Sequence, residues 1–263
     1  MGTSLMPRLW PNGPLVRQRL WPSTITVSRA QSSTGSDMNV DVPSFAIVIT
    51  HNRPQLLADC VKAIRPQVEA TVIIDNASEP AVTREDFPVE GNTLALINEP
   101  LQPPNLSYLW NLGFDMVKRL HNSPQWNVAV LCDDVMAPDG WVDAVSSCMR
   151  SLGAAAGSTH QWREVATPIL KQAPDRDLQN RMCGWAFVLT GEKDIRADED
   201  LMWWFCDTSI DFQARQNGGM VICPGPIAHN IHPNDFTTRI PLLAQRSGLD
   251  GGVFGRKWGG RPW

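Results

Sequence analysis

Hydrophobic and polar positions fall into ordered blocks from residue 44 onward. SFAIVIT (44–50) is a short apolar run of the kind that forms a buried strand. Pro54 then suits the first turn of a helix. Leu56, Leu57, Cys60, Val61 and Ile64 recur at helical spacing and define one apolar face. TVIID (71–75) is the next strand. Strand, helix, strand in this order predicts a right-handed crossover and a parallel sheet. Leu106, Leu109, Trp110, Val117 and Leu120 predict a helix over about 105–120. NVAVL (127–131) is a further strand, and Val142, Val145 and Met149 mark a helix with Asp139 as its cap. Beyond residue 153 the blocks shorten. Strand-like pieces fall near 164–170, 183–190 and 219–223, with one helix near 207–217. The expectation is an α/β N-terminal half and a mixed C-terminal half packed as one unit.

Residues 1–43 lack this periodicity. STITVSRAQSSTGSDMNVDVP is rich in Ser, Thr and Gly and reads as a disordered tail, within which Met38 offers an alternative start. The whole chain, 263 residues, suffices for one large α/β domain or two small ones. Its net charge of −4 argues against a nucleic-acid partner, which needs a basic surface, and suits a site that holds a divalent cation. Six cysteines without a C-x-x-C pair read as free thiols in a reducing cytoplasm. No apolar run approaches the roughly 20 residues of a bilayer span. The N-terminus lacks the apolar core of a signal peptide. No integral membrane segment is expected, and the location expected is cytoplasmic.

Chemistry concentrates at strand ends. In VAVLCDDVMAPDGW (128–141) a buried strand runs straight into Asp133 and Asp134. Adjacent carboxylates repel, and burying them unpaired is costly. Either a cation sits between them or they face open water. Ligands of open parallel sheets bind beyond the carboxyl ends of the strands. The first strand ends in Thr50, His51, Asn52 and Arg53, the second in Asp75, Asn76 and Ser78, the third in the acidic pair. Polar residues begin loops everywhere, so one such end says little; three converging on one crevice say more. Carboxylate oxygens, waters and a substrate diphosphate together suit Mg²⁺ or Mn²⁺.

These segments resemble a known family. FAIVITHNRPQLLADCVKAI and VIIDNAS are similar to the opening of the family 2 glycosyltransferases, which have the GT-A fold. NLSYLWNLGFDMV (105–117) resembles the family's N-x-G segment, with Asn111 and Gly113 in place. LCDDV (131–135) resembles its D-x-D region, with Cys132 at the first acidic position. MCGWAFVLTGE (182–192) resembles the glycine-containing acceptor strand, and CDTSIDFQARQNG (206–218) the segment that opens the helix beside the acceptor. There Cys206 stands where the family usually has Glu. ICPGPIAHNIHP (222–233) resembles the stretch in which a His completes the metal site, and His229 fits it better than His232. FGRKWGG (254–260) resembles the ending of short members, phage-encoded ones among them. The likeness covers residues 44–235 well; residues 236–263 are expected to be a C-terminal tail packing on or covering the active site.

The resemblance implies a Rossmann-like, mostly parallel sheet with a mixed acceptor half. It implies transfer of a sugar, with inversion, from a nucleotide-sugar donor to a hydroxyl of a glycan or protein acceptor, a UDP-sugar being the favoured donor. Asp207 would be the general base. Asp134 and His229 would hold Mn²⁺ or Mg²⁺, and Asp133 would be a ligand or ribose contact. Asp75 would bond the base, and Thr50, His51, Asn52, Arg53, Asn111 and Lys257 would complete the donor site. Gly184, Trp185, Trp203 and Trp204 would flank the acceptor, since a sugar's apolar face stacks on indole. A phage-encoded member would work in the host cytoplasm. Two other readings stand beside this one. A degenerate nucleotide-sugar or glycan-binding protein would explain Cys132 and Cys206. A sugar-phosphate nucleotidyltransferase is disfavoured because THNRPQ (50–55) lacks the Gly-rich loop such enzymes carry after the first strand.

Overall fold

The computed structural model describes residues 42–87, 92–175, 180–231 and 241–260. The tail expected over 1–43 lies outside them except for its last two residues, and so does His232. The elements in chain order are β1 (Ser44–Thr50), α1 (Pro54–Ile64), β2 (Ala70–Asp75), β3 (Thr93–Asn98), α2 (Leu106–Leu120), β4 (Asn127–Cys132), β5 (Val135–Met136), α3 (Trp141–Ser151), β6 (Ala156–Thr159), β7 (Ile169–Lys171), β8 (Ala186–Thr190), α4 (Cys206–Gln216), β9 (Met220–Cys223), β10 (His229–Asn230) and α5 (Pro241–Trp258). No described helix is long and apolar enough to cross a membrane.

Among the described residues, eight strands form one sheet in the order β3-β2-β1-β4-β8-β6-β9-β7. The pairs β3–β2, β2–β1 and β1–β4 are parallel, as the strand-helix-strand pattern requires. The sheet turns mixed at β8, which runs antiparallel to both β4 and β6. Strand alternation divides the core into two layers. Phe45 and Ile47 of β1 face one way, with α2, α4 and α5. Ala46 and Val48 face the other way, with α1 and α3.

Several elements differ from the sequence expectation. β3, from TLALIN, and β6, from AGST, are not among the strands expected from the sequence. β6 is nonetheless fully buried, and Gly157 lets α3 close on it: a Cβ there would lie 3.3 Å from both Met149 and Val145. Asp139 does not cap α3; Gly140 does so with φ +72°, a left-handed conformation that favours glycine. Only the end of the piece expected near 164–170 is strand. The expected C-terminal tail contains an 18-residue helix, α5, whose Phe254 is fully buried beside Phe205 and Phe212.

One contact sets how closely α2 lies on the sheet. A Cβ on Gly113 would meet three side-chain atoms of Ile47 at 2.7–3.1 Å. Gly113→Ala is therefore expected to destabilise the fold by about 1–3 kcal/mol through overpacking. An unchanged urea midpoint would show that the interface has slack.

Candidate active site

The parallel strands β2, β1 and β4 end side by side, with Thr50 in register with Asp75 and Ile49 with Cys132. The loops that follow are tied together. Asn52, at φ +55°, donates its amide to Ser78 Oγ at 2.8 Å and accepts from the Glu79 amide at 2.7 Å. His51 Nδ1 lies 2.7 Å from the Asn76 carbonyl. Asp75 accepts the amides of Ser78 (3.1 Å) and Val82 (2.9 Å) on its two oxygens. Asn76 Oδ1 accepts the Leu101 amide at 3.0 Å. Asp75 and Asn52 thus shape the loops, while His51 and Asn76 line the adjoining cavity.

The acidic pair does have a cation between its members, and it belongs to the protein. Arg53 Nη1 donates to Asp133 Oδ1 at 3.0 Å and to Asp134 Oδ2 at 3.1 Å. Thr50 Oγ1 donates to Asp133 Oδ2 at 2.8 Å. Burial pushes the Asp133 carboxyl above its ordinary range, with Arg53 and the Thr50 hydrogen bond opposing the rise. Asp134 Oδ1 is buried and has no hydrogen-bond partner among the described residues. Buried carboxylate oxygens are ordinarily satisfied, so this one stands out on the cavity wall. Burial and the two aspartates push the neighbouring Cys132 thiol well up, so it stays protonated.

Across the crevice stands α4. Phe205, at φ +63°, turns the chain into the helix, and Asp207 occupies its first turn, where the helix dipole favours a carboxylate. Gly184 makes room for that carboxylate: a Cβ there would lie 2.2 Å from Asp207 Oδ2. Asp211, one helical turn on, is buried and bonds Arg215 at 2.6 and 3.0 Å and the Met182 amide at 3.2 Å. This pair fixes the segment that leads to Gly184. Cys206 is a buried, protonated thiol bonded to the Trp203 carbonyl at 3.3 Å.

The two sides enclose a cavity of about 680 Å³. Thr50, Arg53, Asp133 and Asp134 lie on one wall; Gly184, Trp185, Trp204 and Asp207 lie on the other, with Trp203 beside them. Trp185 Nε1 donates to the Ala228 carbonyl and Trp204 Nε1 to that of Leu243, so both indoles are held in place. Leu242 and Leu243 of α5 complete the wall, so this helix, expected as a tail, contributes to the cavity lining.

Five expected site residues fall outside the cavity lining, Asn52 of the β1 loop among them. Asp75, 1% exposed, is spent on its own loop. Asn111 holds the 197–199 segment, bonding the carbonyl and amide of Ala197 and the Glu199 carboxylate. Lys257 bonds Asp198 and Asp200 at 2.7–2.8 Å, away from the cavity lining. His229 pairs with Met136 on the exposed side of the short ribbon β5–β10, and its neighbour Asn230 lines the cavity instead. Among the described residues, no group of three or more His, Cys, Asp or Glu side chains is placed to hold a metal together.

The structure adds residues that the sequence reading passed over. Trp162, 69% exposed, stands edge-on to Trp185 at 5.2 Å on the cavity wall, with Gln161 and Arg181 nearby. A lone aromatic in the polar stretch HQWRE was the available signal. Asp250 is fully buried and accepts the amides of Trp203 and Trp204, both at 2.9 Å, as well as Arg246 at 2.7 Å.

Solved structures share this fold, a mannosyltransferase among them. The 1–349 portion of S. aureus TarS matches 83% of this chain over 72% of its own, at 12% identity and a TM-score of 0.51. The same portion in complex with UDP-GlcNAc matches at 11% identity and a TM-score of 0.50, covering 83% of this chain and 73% of its own. The mannosyltransferase PcManGT from Pyrobaculum calidifontis, in complex with GDP-Man and Mn²⁺, matches 82% of this chain over 65% of its own, at 14% identity and a TM-score of 0.52. No family model matches the sequence, and no curated protein matches it either. The α/β architecture is thus of the GT-A type, a mostly parallel sheet with a mixed second half.

Asp250 ties α5 to the aromatic wall. Asp250→Ala is expected to cost about 3 kcal/mol, because it strips the partner from two backbone amides and leaves Arg246 unpaired. Urea unfolding that matches the wild type would contradict this anchoring role.

Proposed function

We propose that this protein is a glycosyltransferase that moves a sugar, with inversion, from a nucleotide-sugar donor to an acceptor hydroxyl. The observation that carries the reading is the cavity itself. Within a GT-A fold, three strand ends and the first turn of α4 set the acidic pair and Asp207 on facing walls of one 680 Å³ space. The structural neighbours bound to UDP-GlcNAc and GDP-Man support a nucleotide-sugar donor. A UDP-sugar remains the favoured one.

The donor diphosphate belongs on the β1–β4 wall, where Arg53 supplies positive charge and Asp134 an unsatisfied oxygen. His51 and Asn76 line the wall where the nucleoside would lie, on loops that Asn52 and Asp75 keep in shape. A divalent cation, Mn²⁺ or Mg²⁺, fits the orphaned oxygen of Asp134; when bound it supplies charge opposite the leaving diphosphate. His229 as a second ligand would require the β5–β10 ribbon to turn its exposed side inward.

The acceptor belongs on the wall of Trp185 and Trp204, where a sugar ring can stack on indole. Its hydroxyl oxygen attacks the sugar C1 while Asp207 takes the hydroxyl proton. The bond from C1 to the diphosphate oxygen breaks, and its electron pair leaves with the diphosphate. Gly184, with no side chain of its own, leaves the Asp207 carboxylate room on the cavity wall.

One specific observation favours a second reading, a nucleotide-sugar-binding protein without turnover. Cys132 and Cys206 are neutral thiols at positions where the resembled family is acidic. Donor hydrolysis, with water in place of the acceptor, separates the two readings. Asp207→Asn is expected to bind the donor as the wild type does and to lose hydrolysis by about 100-fold or more. Full hydrolysis by that variant would remove Asp207 as the base, and donor binding by a wild type that never turns over would establish the second reading. Asp134→Ala is expected to lose the part of donor affinity that depends on Mn²⁺. An unchanged Mn²⁺ effect in calorimetric titration would take Asp134 out of the metal site.

A further inference from the structure

We infer that Arg53 is a built-in counter-ion that holds the acidic pair in the donor-free protein and couples the binding of a divalent cation to that of the nucleotide. The inference rests on the donor-site reading above and assigns a role within that site. A single nitrogen, Arg53 Nη1, is shared between Asp133 Oδ1 and Asp134 Oδ2 at 3.0 and 3.1 Å. Of the two remaining oxygens, Asp133 Oδ2 is occupied by Thr50. Asp134 Oδ1 has no partner among the described residues, although its side chain is only 9% exposed. Arg53 also lines the cavity, follows the left-handed Asn52, and keeps 21% of its side chain exposed.

Charge decides the consequence. Two carboxylates and one guanidinium sum to −1. Adding a divalent cation alone brings the sum to +1 and crowds it against the guanidinium on the same two carboxylates. A nucleoside diphosphate brings two or more negative charges, compensates the cation, and offers the guanidinium the forked acceptor it prefers. The cation and the nucleotide therefore favour each other's binding, and thermodynamic linkage makes the coupling reciprocal. Without Arg53 the acidic pair is left uncompensated and attracts the cation directly.

The test titrates Mn²⁺ alone into the full-length wild type, Arg53→Met, and the double variant Arg53→Met with Asp134→Ala. Free Mn²⁺ is read by electron paramagnetic resonance, and the melting temperature is recorded in parallel. Arg53→Met is expected to bind Mn²⁺ about 10- to 100-fold tighter than the wild type, the usual span of such couplings. Its lowered melting temperature should recover with Mn²⁺, and the double variant should lose both effects. UDP, GDP or dTDP should tighten Mn²⁺ binding by a similar factor in the wild type and by little in Arg53→Met. If Arg53→Met does not accumulate as folded protein, Arg53→Gln, neutral and of similar length, serves the same comparison with the same outcomes. Nucleotide binding by the wild type, with Mn²⁺ affinity unchanged in Arg53→Met, overturns the counter-ion role alone. Failure of UDP, GDP and dTDP alike to bind the wild type overturns the donor-site reading and the coupling with it.

Discussion

Two carboxylates at the end of one buried strand are the constraint from which the rest of the site follows. Asp133 and Asp134 are each less than a tenth exposed, and such a pair repels itself unless positive charge stands nearby. The fold answers with Arg53, delivered from the loop after the neighbouring strand. That delivery requires β1 and β4 to run parallel and adjacent, so that both chains leave the sheet at the same edge. It also requires the β1 loop to hold its shape, which Asn52, Ser78 and Asp75 ensure through hydrogen bonds across to the β2 loop. The parallel sheet is thus what allows an electrostatically costly site to persist.

The opposite wall is organised by a different device. Asp207 lies at a helix start, opened by a left-handed Phe205 and facing a glycine. Behind it the Asp211–Arg215 pair is buried and hydrogen-bonded at both partners, which is the condition under which buried charge is tolerated. Burial still pushes the Asp211 carboxyl upward, and Arg215 opposes that rise. Asp250 repeats the arrangement from α5, capturing two backbone amides of the aromatic segment. Each wall is therefore held by aspartates that do not face the cavity, Asp75 on one side and Asp211 and Asp250 on the other, while Asp133, Asp134 and Asp207 line it.

Much of this was legible in the sequence because it depends on short-range patterns. The apolar runs of β1, β2 and β4 and the helical faces of α1 and α2 emerged from periodicity. Coulomb repulsion led to two alternatives, a cation between the two aspartates or open water, and the cation expected there was a divalent metal; in the structure Arg53, expected as a donor-site residue, stands between them. What escaped depends on tertiary contacts. β6 is AGST, too small and polar to read as a strand, and it is buried because α3 needs a flat surface to lie on. α5 contains Gly248, Gly251, Gly252 and Gly255, a composition that opposes helix formation, and packing of Phe254 and Asp250 prevails over it. Lys257 and Asn111 were placed by motif position, yet each has nearer partners in the 197–200 segment. Asp75 illustrates the general limit: a strand-end carboxylate can serve a ligand or its own loop, and sequence does not distinguish them.

The most direct test is a thermal-shift panel on the full-length chain with UDP-, GDP- and dTDP-sugars, each with and without Mn²⁺. A ligand that prefers the native state raises its melting temperature. A nucleotide-sugar donor site predicts a rise with one nucleotide class, larger when Mn²⁺ is present. No rise with any nucleotide sugar at millimolar concentration, with or without the metal, would contradict it and leave the acidic pair as a structural ion pair with Arg53.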